Sequence, residues 1–143
     1  MPFKPIARIA LIAVLLFTAT AGAYAAEAAV NIDVPGERWK TIRLKNLPRG
    51  ASVALEIISS DKIRVIIVDS VELKRFPKTR ALFEASVDQK LGFSVIIPRT
   101  GDYYVILDNR TAAQARQVRV RVKAEAPKRR QNNPDSQEKL DKT

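Results

Sequence analysis

Two residue types are missing altogether: the chain contains no cysteine and no histidine. The first absence excludes disulfides, a thiol nucleophile and zinc-thiolate sites. The second removes the usual general base and the commonest transition-metal ligand. A carboxylate-pair glycosidase needs neither residue, only two acids flanking a bond. Here the carboxylates are scattered among predicted strands and turns with no active-site motif, so no enzyme activity is expected. Asp61, Asp69, Asp102 and Asp108 sit at predicted strand ends where loops could gather them around calcium. Turn formation explains them equally well, and no EF-hand or repeated acidic loop is present, so no metal or cofactor is assigned.

Helical periodicity is also absent beyond the amino terminus. No stretch from Ala28 onward repeats apolar residues at i, i+3, i+4 and i+7. The one long apolar run is Ile9 to Phe17, preceded by Lys4 and Arg8 and followed by Ala23-Tyr24-Ala25. A basic start, a short apolar core and a small-x-small end are the marks of a bacterial Sec-type signal peptide over 1–25. The run is shorter than the roughly 20 residues a bilayer crossing needs, and no lipoprotein cysteine follows it. A periplasmic or secreted product without a transmembrane span is expected.

The composition that remains is apolar and basic. Hydrophobic residues make up 46% of 143, enough for one packed domain. The formal net charge is +10. Loss of Lys4 and Arg8 with the leader would leave 23 basic against 15 acidic residues, or +8. Such an excess draws anionic partners by Coulomb steering, and also serves solubility. For an exported protein the candidates are an anionic envelope component, an acidic glycan or another periplasmic protein; nucleic acid is topologically awkward.

Strand-period alternation recurs throughout 26–123. The predicted strands are Ala28 to Val34, Trp39 to Lys45, Ser52 to Ile58, Lys62 to Asp69, Arg80 to Val87, the two arms within Leu91 to Asn109, and Ala115 to Lys123. Ile63 to Val68 is almost continuously apolar, as a central strand would be. The stretch Leu91 to Asn109, with Pro98-Arg99-Thr100-Gly101-Asp102 between its arms, reads as a β-hairpin at the heart of the core. Ser70 to Thr79 reads as an exposed connection. Residues 124–143 lack the apolar surface to repay ordering and read as a disordered polar tail. About eight strands without helices predict an all-β, antiparallel sandwich of the jelly-roll or immunoglobulin-like kind, with a closed barrel as the alternative.

The runs Thr41-Ile42-Arg43-Leu44, Leu47-Pro48-Arg49-Gly50 and Val53-Ala54-Leu55, with Phe93 to Pro98 and Thr100 to Val105, resemble the bacterial pre-peptidase carboxy-terminal domain. The Golgi cargo-receptor sandwich is a more distant likeness. The resemblance covers about Trp39 to Lys123. It implies a jelly-roll-like sandwich without catalytic machinery that accompanies a catalytic domain elsewhere. Of that family's acidic calcium run only Asp61 and Asp69 have counterparts.

Two surface features stand out. Lys74-Arg75-Phe76-Pro77-Lys78-Thr79-Arg80 places four cations around an aromatic, and Arg119, Arg121 and Lys123 form a basic outer face on the last strand. Together they suit an anionic ligand. Phe76 could instead fold inward, and edge-strand cations also block aggregation. The other feature is the second parity of the predicted hairpin, Ile96, Tyr104 and Ile106, which would form a protein-docking patch if exposed and a buried layer if covered. Asn109-Arg110-Thr111 matches a glycosylation sequon, a match that a bacterial leader makes accidental.

Overall fold

The computed structural model describes residues 14–15 and 25–127. The rest of the predicted signal peptide, and the predicted tail from 128 on, lie outside the described residues. The described residues form nine strands and one helical turn: β1 (Val14–Leu15), β2 (Ala25–Val34), β3 (Trp39–Leu47), β4 (Ser52–Ser59), β5 (Ile63–Asp69), α1 (Ser70–Leu73), β6 (Phe83–Val87), β7 (Lys90–Ile96), β8 (Gly101–Asp108) and β9 (Arg116–Glu125). The first sheet runs β1-β3-β8-β5-β6 and the second β2-β9-β4-β7. Every pairing is antiparallel except the two-residue contact of β1 with β3.

Strand pairing follows one rule. β2 pairs β9, β3 pairs β8, β4 pairs β7 and β5 pairs β6. The chain is therefore one long antiparallel ribbon, doubled back at the link between β5 and β6 and rolled into two sheets. That is the connectivity of a jelly roll. The period-2 patterns supply the interior: Ile42 and Leu44, Val53 to Ile57, Val65 and Ile67, Val105 and Leu107, and Val118 to Val122 all bury their alternate side chains between the sheets.

The predicted hairpin of Leu91 to Asn109 is not one. β7 is an edge strand of the second sheet, paired with β4, whereas β8 lies inside the first sheet between β3 and β5. Residues 97–100 carry the chain from one sheet to the other. Ile97 bonds to the β3–β4 turn instead, its N–H donating to Ala51 O at 2.9 Å and its carbonyl accepting from Gly50 N at 2.7 Å. The Tyr103 hydroxyl closes the crossing by donating to Arg99 O at 2.7 Å. Two arms with inward apolar parity look alike whether they pair side by side or face each other across a core, so alternation alone cannot separate hairpin from crossing.

Boundaries also differ: β2 begins at Ala25 rather than Ala28, β3 runs on to Leu47 rather than ending at Lys45, and β6 begins at Phe83 rather than Arg80. β9 continues through the buried Ala124 to Glu125, past the predicted strand end at Lys123, because β2 and β4 both pair with it there. Residues 70–79 include one turn of helix. At the opposite end, Asn109 is buried and its amide donates to Val34 O, Pro35 O and Gln114 O at 3.2, 3.1 and 2.8 Å. It ties two loops together, and the sequon asparagine is thus inaccessible for glycosylation. Gly36 lies under the same loop, where a Cβ would come within 2.0 Å of Ala113 O.

Candidate functional site

The sandwich has two outer faces, and the sequence-predicted residues divide between them. On the first sheet, β5 and β8 turn Ile66, Val68 and Ile106 outward, yet all three are fully buried. The connection 70–82, at the tip of the doubled ribbon, lies across them as a strap. Leu73, Phe76 and Ala81 from the strap, with Trp39 and Tyr104 from the sheet, complete a second small core. The alternation rule fails here because both sides of these strands are covered.

Several bonds fix the strap. Asp69 caps α1 by accepting from Glu72 N at 2.8 Å. The Glu72 carboxylate accepts from Arg80 N at 2.8 Å, drawing the two ends of the segment together. Leu82 N donates to Ile67 O at 2.8 Å where the chain rejoins the sheet. Phe76 packs on Trp39 with centroids 4.8 Å apart. Above Phe76 stands the Arg110 guanidinium, 4.5 Å from the ring centroid. Arg110 forks onto the buried Asp108, Nε to Oδ1 at 2.9 Å and Nη2 to Oδ2 at 3.0 Å. With Phe76 held inward, Lys74, Arg75, Lys78 and Arg80 are all exposed. Of these, only Arg75 reaches a carboxylate among the described residues, Glu72 at 3.4 Å.

This arrangement breaks up the predicted docking patch. Ile106 is fully buried under the strap, Tyr104 is half-buried beside it, and Ile96, 60% exposed, is on the other sheet. The three residues share a parity in the sequence but no surface, because the chain crosses between sheets at 97–100.

Among the described residues, nothing covers the second sheet's outer face. β9 turns Arg119, Arg121 and Lys123 outward along its middle, about 6.8 Å apart at two residues per step. β2 and β4 flank it in register: Glu27 and Ala54 stand on either side of Lys123, Ala29 and Glu56 on either side of Arg121, and Asn31 and Ile58 on either side of Arg119. Arg121 reaches Glu27 at 3.9 Å, Lys123 reaches Glu125 at 3.5 Å and Lys90 reaches Glu56 at 3.7 Å. Arg119 has no ion-pair partner among the described residues. Two hollows open on this face, of about 420 Å³ beside Arg121 and Lys123 and about 520 Å³ beside Arg119. Small residues make the floor of the first, Ala54, Gly92 and Ser94.

The strap cations and the β9 cations therefore lie on opposite faces, separated by the thickness of two packed sheets, and do not form one site. The acids that flank β9 went unread, because which strands pair with β9 is a long-range fact that β9's own alternation does not contain. Trp39 and Arg110 were likewise missed as anchors of Phe76. The four strand-end aspartates each hold a hydrogen-bond partner within the protein. Asp61 accepts from Lys62 N, Asp69 caps α1, Asp108 takes Arg110, and Asp102 takes Arg43 and Asn46 N. Among the described residues no three potential metal ligands cluster, and no helix is long and apolar enough to cross a membrane.

No family model matches this chain, and no curated protein matches it significantly. Solved structures do. PliG of Aeromonas hydrophila, a periplasmic inhibitor of g-type lysozyme, is similar at TM-score 0.50 and 14% identity, over 79% of this chain and 96% of its own. A subunit of Bacillus endospore appendages is similar at TM-score 0.48 and 14% identity, over 80% and 98%. A family 29 carbohydrate-binding module is similar at TM-score 0.44 and 13% identity, over 76% and 84%. At such identities the likeness to PliG speaks for the β-sandwich fold and nothing finer.

Proposed function

We propose that this is a non-enzymatic, exported β-sandwich binding module that holds an anionic component of the cell envelope, or an acidic polysaccharide, against its strap. The observation that carries the reading is the strap itself. Four exposed cations, Lys74, Arg75, Lys78 and Arg80, project from a short segment whose one acid, Glu72, is already bonded to Arg80 N. Phe76 is the anchor that turns those cations outward, so their ordering cost is met by folding and not by binding. The β9 face contributes less to attraction at a distance, because its cations are matched by neighbouring carboxylates.

The predicted leader over 1–25 supports an exported location, and the absence of histidine and cysteine supports a role without catalysis. The resemblance to the pre-peptidase carboxy-terminal domain points the same way. A protein partner docking on Ile96, Tyr104 and Ile106 loses its support, since those residues share no surface.

Co-sedimentation with anionic and neutral vesicles, and with a sulfated polysaccharide, tests the reading at low and high salt. Binding to the anionic probes should fall steeply as salt rises past about 0.15 M, where screening shortens to roughly 8 Å. It should be lost in the K74Q/R75Q/K78Q/R80Q variant and largely retained in R119Q/R121Q/K123Q. Binding that ignores salt, or that survives in the strap variant, would overturn the assignment.

A further inference from the structure

Beyond the strap, the bare face of the second sheet has the chemistry of a second site. We propose that it binds a linear glycan that carries a carboxylate in its repeat, laid along β9 across both hollows. This is a site of its own and does not rest on the strap's reading.

The charges on this face balance. Lys90, Arg119, Arg121 and Lys123 point outward, and so do Glu27, Asp33, Glu56 and Glu125. A face with no net charge is a poor dock for a densely anionic surface, whose phosphates or sulfates would meet carboxylates as often as cations. It is also a poor dock for an apolar protein partner. Its larger apolar side chains, Ile58 and Ile96, stand at opposite ends of the β4–β7 pair, and no aromatic anchor is exposed among them.

What it offers is alternating donors and acceptors over a shallow floor. The hollow beside Arg121 and Lys123 has Glu27, Glu56 and Ser94 for hydroxyl groups, and at Gly92 an added Cβ would find nothing closer than Leu55 O at 4.0 Å. The hollow beside Arg119 has Asn31, Asp33, Ser60 and Gln117. Four β9 residues separate Arg121 and Lys123 from Gln117 and Arg119 at corresponding positions, about 13.6 Å at the strand rise. A chain of polyhydroxylated rings spans such a distance, whereas a single small molecule fills one hollow. Arg119 decides the charge of the ligand. It is exposed at the wall of its hollow without an ion-pair partner among the described residues, while Arg121 and Lys123 already face Glu27 and Glu125. A ligand carboxylate would be matched at Arg119 and hydroxyls at the paired groups.

Titration of the protein with a carboxylated oligosaccharide such as an oligogalacturonate, its neutral methyl ester and a sulfated oligosaccharide, followed by backbone amide NMR, tests this. Shifts are expected along 117–123 with 54–58 and 92–94, strongest for the carboxylated chain. R119Q should reduce the preference for the carboxylated chain over its ester by roughly tenfold, the worth of one charge-assisted contact. E56Q should weaken both alike. The strap variant should leave these shifts unchanged, which separates a failure here from a failure of the strap. Shifts confined to the strap, a preference of these β9, β4 and β7 amides for the sulfated chain, their equal response to acid and ester, or their lack of response to any of the three would each overturn the proposal.

Discussion

The two outer faces of this sandwich are built from the same kind of strand and end in opposite states. On the first sheet, β5 and β8 are apolar on both parities, and the strap covers the outward side with Phe76, Leu73 and Ala81. On the second, Val118, Val120 and Val122 of β9 alternate with polar or charged residues, and nothing among the described residues covers that outward side. The covered face adds a second layer of buried area to a domain that has no disulfide to lean on. The bare face gives up that stabilisation and keeps a floor on which a ligand can lie. A jelly roll closed by strand pairing alone can leave one face free because the other face carries the extra core.

The comparison breaks most visibly at two isoleucines of the same predicted parity. Ile106→Ala should destabilise by about 2–5 kcal/mol, as for other buried aliphatic truncations. Ile96→Ala, on the bare face, should stay within about 0.5 kcal/mol of the parent. Urea midpoints at constant m-value measure both. Equal losses at the two positions would mean that the faces are not different in kind.

Next in size is the clamp on the strap. Arg110→Ala leaves Asp108 buried without its fork and uncovers Phe76. Removing one partner of a buried pair costs about 3–5 kcal/mol; with the Arg110 side chain 34% exposed, about 2 kcal/mol is expected. Arg110→Lys should recover only part of this, since a lysine keeps the charge without the planar fork. Hydrogen exchange should quicken at the Leu82 amide, which bonds Ile67 O at the strap's end, while the amides of β9 keep their protection. Loss of protection on β9 as well would show that the strap is part of the main core and not a layer upon it.

Much of the fold was legible, and what failed did so for one reason. Eight sandwich strands were readable because each buries alternate residues, and the near-continuous apolar run of Ile63 to Val68 correctly marked a strand with neighbours on both sides. The parity opposite to Ile96, Tyr104 and Ile106, which holds Val95, Tyr103 and Val105, is buried as a hairpin would bury it, since a crossing and a hairpin bury the same parity. Pairing partners were not readable, and every misplaced site residue follows from that. Ile96 was grouped with Ile106 because a hairpin would have put them on one sheet. Arg119, Arg121 and Lys123 were joined to the strap cations because nothing in β9 itself says which face it lines or that Glu27 and Glu56 stand beside it.

The smallest expected effect lies on β8 itself, where the covered column runs out. Ile106, Tyr104 and Asp102 share one parity, passing from full burial under the strap to a carboxylate whose side chain is 20% exposed. Asp102 accepts from Asn46 N at 2.8 Å and from Arg43 Nε at 3.0 Å, pinning the bulge where β3 slips register between Leu44 and Leu47. The backbone N–H of Asn46 first, and the Arg43 guanidinium second, hold the Asp102 carboxyl below its ordinary range. A carboxyl depressed on folding contributes stability that is complete above its unfolded pKa of about 3.9 and is lost as pH falls through the lower folded value. The parent should therefore lose stability as pH drops below about 4, and Asp102→Asn should start lower at neutral pH and decline less steeply over that acid range. Thermal melts from pH 7 to pH 2.5 measure the two slopes. Parallel curves would mean that the bulge is held without the Asp102 carboxylate, and that the uncovered end of the first sheet owes nothing to the Arg43–Asp102 ion pair.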